Sequence, residues 1–206
     1  MKKFLIFTLI TFCGLDTFGQ AAGKTIKIQS PPKAETKTSP ISKITAEEYK
    51  VYMAALGENR EPFVIRDKSD MDKESKNIDR YSVREFLKEL IPETIEDFQA
   101  KNKETAQLKK KFPTNINYTL IKIDELKEFF AYEFDGEMDW EAFYKKYPKS
   151  GGLYTFSRVG FSQNGQQALL FVTNWCRSLC GEGNYYLLKK ENGEWKVINK
   201  HMVWIS

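Results

Sequence analysis

The sequence predicts an α+β domain with N-terminal helices packed on a C-terminal four-stranded antiparallel meander. Three observations predict it. From Tyr154 to Ser206 the chain holds four apolar runs separated by turn signals. Two of those signals, Asn164-Gly165 and Asn192-Gly193, suit a type I′ hairpin, whose two central residues both need positive φ. Upstream, capping signals are followed by apolar residues at helical spacing.

The 206 residues, 41% hydrophobic and 29% charged, suit one folded domain with length left for other segments. The expected organisation is a signal peptide over 1–19, a flexible tether over 20–44 and a single α+β domain over 45–206. Lys2-Lys3 precede the apolar run Phe4 to Phe12, which falls short of the roughly 20 residues that span a bilayer. Small residues Thr17 and Gly19 then flank Phe18, a cleavage pattern that puts the mature start at Gln20. The chain is therefore expected to be exported, periplasmic or extracellular, with no transmembrane span once mature. Cys13 follows the bulky Phe12, whereas lipid attachment uses a Cys after a small residue, so lipid anchoring at Cys13 is the minor alternative. Ala21 to Lys43, rich in Lys, Thr, Ser and Pro, offers too little apolar surface to offset the entropy of ordering it.

The domain opens on Thr45-Ala46-Glu47-Glu48, a capping box, with Tyr49, Tyr52, Met53 and Leu56 at helical spacing and Gly57 as the stop. Pro62 to Asp67 reads as a short strand. Ser82-Val83-Arg84-Glu85 is a second capping box, and Thr94 to Lys101 a short third helix after Pro92. Asn117 to Ile123 alternates as a strand, after which Asp124 is expected to cap a helix bearing Leu126, Phe129 and Phe130. Asp139 is placed to cap Trp140 to Lys146, whose Trp140, Phe143, Tyr144 and Tyr147 form an aromatic stripe expected in the core. The meander follows as Leu153–Phe161, Gln166–Asn174, Tyr185–Lys190 and Trp195–Ile205. Neither face of the last run is purely polar, which predicts a bulge or a two-sided sheet.

Little here assembles into a reaction centre. The carboxylates from Asp67 to Glu74 lack the ligand order and central Gly of a calcium hand. Those from Glu133 to Asp139 read as an exposed loop ending in a helix cap. With one His in the chain, a Ser-His or Cys-His pair would have to use His201, late in an expected core strand. No phosphate loop, dinucleotide fingerprint or zinc-protease motif is present, so no cofactor and no metal are expected. A net charge of +4, and a lysine cluster from Lys101 to Lys111 with few aromatics, argue against nucleic acid.

Cys176 and Cys180 are the sharpest local feature. In an exported chain two nearby cysteines form a disulfide by default, here across the connection Cys176 to Gly183. A metal site would need more ligands than one His supplies, and a redox pair is usually Cys-x-x-Cys at a helix start.

These residues carry a resemblance. From about Glu47 onward the chain resembles a family of exported bacterial proteins of uncharacterised activity, through Val64-Ile65-Arg66-Asp67, Phe143-Tyr144-Lys145-Lys146-Tyr147-Pro148 and Phe156-Ser157-Arg158-Val159-Gly160-Phe161. The Cys-x3-Cys-Gly loop and the Trp204-Ile205-Ser206 ending match as well, while Arg177 and Ser178 depart from the glycine-rich loop of that family. The resemblance implies one export-associated domain and no activity. The function expected is a non-catalytic binding or interaction domain, with a protein or small-molecule partner in the envelope. Its candidate contacts are Arg66, Arg158, Asn174, Glu182 and His201. The competing expectation is a hydrolase or isomerase with a pocket in a nuclear-transport-factor-like curved sheet, resting on helices before a meander that ends in Gly193-x-Trp195-x-Val197.

Overall fold

The computed structural model describes residues 43–57, 61–71, 75, 78, 88–113, 116–130 and 138–206. The signal peptide, most of the tether, the helix expected from Ser82 and the carboxylates Glu133 to Glu137 lie outside the described residues.

Four α-helices are described. The first, α1 (Ala46–Leu56), starts as its capping box dictates. Thr45 Oγ1 accepts from the Glu48 amide at 3.2 Å, and Glu48 Oε2 accepts from the Thr45 amide at 2.8 Å. Pro92 supplies the first residue of α2 (Pro92–Lys101), where its missing N–H costs no helical bond. The short α3 (Ile123–Leu126) runs into a 3-10 turn (Lys127–Phe129). Asp124 is not its cap, as the sequence had suggested. Ile123 is drawn into the helix by packing near Leu126 and Phe129, which moves Asp124 into the first turn. There the carboxylate pairs with Lys127 at 2.9 Å and suits the positive helix end. Asp139 does cap α4 (Trp140–Lys146), accepting from the Ala142 amide at 2.9 Å.

The fold class is the expected α+β, but the sheet holds seven strands rather than four. They are β1 (Phe63–Arg66), β2 (Tyr118–Ile121), β3 (Leu153–Phe156), β4 (Gly160–Phe161), β5 (Gln167–Arg177), β6 (Cys180–Glu191) and β7 (Glu194–Ile205). Their order is β2-β1-β3-β5-β6-β7, with β4 pairing β5 beside β3. The two strands that precede α3 join it in parallel, β1 lying between β2 and β3; the remaining pairs are antiparallel.

The run expected as one strand from Leu153 to Phe161 is broken at Ser157-Arg158-Val159. Ser157 Oγ accepts from the Phe171 amide at 2.9 Å, and Arg158 turns inward to Glu48. Of the two Asn-Gly turns, only Asn192-Gly193 has positive φ at both residues, 51° and 86°. At the other only Gly165 does, because Ser162 O accepts from the Gly165 amide at 2.8 Å and the chain needs one left-handed residue to re-enter β5. The cysteine connection is also tighter than expected. The strands continue to Arg177 and Cys180, leaving only Ser178-Leu179 between them. Cys176 is the extra residue of a bulge between the pairs Trp175–Gly181 and Arg177–Cys180, and it bonds Cys180 across a Cα separation of 5.1 Å. Two further register shifts leave Ile198 and Val203 unmatched in β7, which is why its sequence shows no clean alternation.

Both faces of the sheet are covered, but unequally. On one, α1 sets Tyr49, Val51 and Tyr52 against Phe156, Leu170 and Val172. On the other, the cover is in two pieces. Ile95 and Phe98 of α2 lie on Leu169, Phe171 and Leu187 at one end. Leu126, Phe129 and Phe143 lie on Val64, Ile121 and Leu153 at the other. Between these two clusters the second face has no helix of its own among the described residues.

Candidate functional site

The gap between the two helical covers is a cleft. Its floor is set by strand alternation. Arg66 follows Val64 on the second face of β1, Thr155 follows Leu153 on β3, and Thr173 and Trp175 share that face of β5. The register places Leu153 opposite Trp175 and Thr155 opposite Thr173, so two small hydroxyl side chains occupy the middle of the floor.

Two adjoining hollows share Arg66, Thr155 and Trp175. One, of about 480 Å³, runs under α3 and α4 and is walled by Ile123, Leu126, Phe130, Met138 and Trp140. The other, of about 530 Å³, reaches Asp70, Met71, Thr173 and Trp204. Each is within the size range of small-molecule sites, where mostly apolar walls surround a few placed polar groups.

Two glycines in the interior of β6 give the second hollow its aromatic wall. Gly181 and Gly183 face the same way as the cleft, one beside Trp175 and one beside Trp204 in register. A Cβ on Gly183 would lie 2.3 Å from Trp204 Nε1, and one on Gly181 would lie 2.9 Å from the Trp175 ring. The indoles therefore settle onto bare backbone with their centroids 4.9 Å apart. The bulge at Cys176 and the disulfide hold this corner, and the Ser206 amide donates to Gly181 O at 2.9 Å. The Tyr144 hydroxyl, bonded at 2.6 Å to Cys176 O, ties α4 to the same corner. Burial raises the pKa of that phenol, so it stays a donor.

Arg66 is the charged group on the floor. Its Nη1 donates to Asp70 Oδ2 at 3.1 Å, and Asp70 Oδ1 accepts from the Met71 amide at 2.9 Å. Its Nε is buried with no hydrogen-bond acceptor among the described residues. A second cation, Arg177, lies over the Tyr144 ring at 5.6 Å and lines the first hollow.

The other residues singled out in the sequence lie elsewhere. Arg158 is buried in the core, Nε to Glu48 Oε1 at 2.7 Å and Nη2 to Oε2 at 3.1 Å, so it joins α1 to the bend between β3 and β4. Asn174 and Glu182 are cross-strand partners on the face that α1 covers, near Tyr154 and Tyr186. There Asn174 Nδ2 donates to Gly151 O at 3.2 Å and Glu182 meets Lys200 at 3.4 Å. Burial, with Tyr186 and Glu182 nearby, pushes the Tyr154 phenol up to about 12. His201 sits on β7 opposite Tyr185, its pKa lowered by burial. The structure thus brings Asn174 and Glu182 together, and leaves Arg66, Arg158 and His201 apart from them and from one another. Among the described residues no three His, Cys, Asp or Glu side chains gather in a metal-binding group.

Sequence reasoning passed over Thr155, Thr173, Trp175 and Trp204, and assigned Trp140 to the core stripe. For Trp175 and Trp204 a signal was present in Gly181 and Gly183, but it becomes readable only once β6 is seen to start at Cys180, since glycines inside a strand mark a place where something large lies on the backbone. Comparison of the chain with protein-family models, with curated proteins and with solved structures gives no match.

Proposed function

We propose that this is an exported, non-catalytic binding domain, stabilised by one disulfide, whose small-molecule ligand seats in the cleft between α2 and α4. The observation that carries the reading is the cleft itself. Apolar and aromatic walls converge on a guanidinium and two threonine hydroxyls, the layout of an orienting site rather than a reacting one. A general acid or base needs a pKa tuned near the working pH. The described residues lining the two hollows offer instead an arginine held by Asp70, hydroxyls and indoles.

Export is supported by the Cys176–Cys180 disulfide, which suits an oxidising compartment, and by the signal-like N-terminus. No helix among the described residues is long and apolar enough to cross a membrane. The family resemblance read from the sequence supports an export-associated domain and carries over no activity.

Tryptophan quenching tests the reading. Trp140, Trp175 and Trp204 line the cleft, whereas Trp195 packs under α1 with Phe161 and Glu47 on the opposite face. Bromine quenches indoles only near contact, so a panel of bromine-labelled small amphipathic molecules should quench the native protein. The same members should leave a W140F/W175F/W204F variant unquenched. Equal quenching of both proteins, or none in either, would reject the cleft as the site.

A further inference from the structure

The cleft's charges and walls say what kind of ligand it takes. Resting on the binding reading above, we propose that the ligand is an amphipathic carboxylate, its head on Arg66 and its apolar body under α3 and α4.

Among the described residues, those lining the hollow under α3 and α4 include two arginines, Arg66 and Arg177, and no carboxylate. Asp70, which accepts from Arg66 Nη1, lines the second hollow and not this one.

With Nη1 committed, the free edge of the fork is the one formed by Nε and Nη2. That edge matches the two oxygens of a carboxylate. Nε lacks any acceptor among the described residues although it is buried, a costly state for a charged group's donor. A carboxylate on this edge supplies the acceptor, and Thr155 lines both hollows with Arg66.

Ile123, Leu126, Phe130, Met138 and Trp140 form a continuous apolar side to the same hollow. Their side chains offer a polar ligand only the Trp140 indole N–H as a donor and the weak Met138 sulfur as an acceptor. Met138 adds a flexible, polarisable surface that accepts an alkyl chain or ring in several poses. A head that must be charged and a body that must be apolar define the class.

A matched pair of probes tests this, ω-bromoundecanoate and ω-bromoundecanol, which differ only at the head. Each is titrated below its aggregation threshold into the purified protein, read by quenching of Trp140, Trp175 and Trp204. The carboxylate is expected to bind about tenfold tighter or better, the contribution of a charge-assisted hydrogen bond. R66M, which keeps the stem and removes the fork, is expected to bring the carboxylate down to the alcohol's affinity and leave the alcohol unchanged. If R66M does not fold, the carboxylate-to-alcohol ratio on the native protein and on R66K carries the test. Equal binding of the two probes, with R66M changing neither, would overturn the head assignment while leaving the cleft as a binding site. Absence of quenching by both probes, or quenching confined to Trp195, would overturn the inference and count against the cleft itself.

Discussion

Arg158 and Glu48 form a buried ion pair between residues 110 apart in sequence. Glu48 also closes the capping box of α1, so one carboxylate starts the helix and fixes it to the bend between β3 and β4. Removing one partner leaves the other charged and out of water, which costs about 3–5 kcal/mol. R158M is therefore expected to lose that much stability in urea unfolding. The R158M/E48M double variant should be less destabilised than the two single losses added together, because no buried charge is left unpaired. A loss in R158M below about 1 kcal/mol, the scale of an exposed pair, would show that water reaches the site.

Gly183 gives a second test, since its missing side chain makes room for an indole. Gly183→Ala puts a carbon 2.3 Å from Trp204 Nε1 and 2.9 Å from the end of Phe171. Relief requires Trp204 to leave its seat, at a cost of about 1–3 kcal/mol typical of overpacking. The near-ultraviolet circular dichroism of the Trp175–Trp204 pair should fall in the same variant. An unchanged spectrum and melting curve would mean that the indole does not rest on the glycine.

Reduction of the disulfide should be mild. The bridge closes a loop of only five residues, so the chain-entropy estimate is about 2 kcal/mol. C176S/C180S is expected to fold, to lose about that much stability, and to loosen the cleft corner that carries Trp175. Complete failure to fold would show that the bridge does more than close a short hairpin.

Acid sensitivity has an identifiable source in Glu47. Its hydrogen bond from Lys190 holds its pKa at about 2 against an ordinary 4.5, with further bonds from Trp195 at 2.8 Å and an ion pair to Lys50 at 3.1 Å. A folded pKa below the unfolded one adds stability above the ordinary value, and that stability is lost as pH falls from about 4.5 toward 2. E47Q should flatten the stability profile across that window and leave neutral pH nearly unaffected in slope. Because Glu47 is about a third exposed, the effect should shrink in high salt. A native profile that is already flat there would remove Glu47 from the account.

Much of the fold could be read in the sequence because it is written in local rules. The Thr45–Glu48 box, the Asp139 cap, the Asn192-Gly193 turn and the paired cysteines each act within a few residues, and each is in place. What was not legible depends on partners far away. Phe63 to Arg66 joins the sheet only because β2 and β3 flank it in parallel, and no local pattern announces that pairing. The cleft is of the same kind. Thr155 and Thr173 look like ordinary strand residues until β3 pairs with β5 and sets them opposite each other on the cleft floor. Arg158, prominent as a charged residue beside an apolar run, gave no local sign of its buried partner 110 residues earlier.

The central claim is that the working surface is the cleft on the second face of the sheet. Its most direct test is the position of bromine, by anomalous scattering, in crystals holding the tightest-binding labelled probe. The account predicts a bromine peak among Phe130, Met138 and Trp140, with the probe's polar end toward Arg66. A peak under α1 beside Tyr154 and Glu182, or along the outer edge of β7, would contradict it.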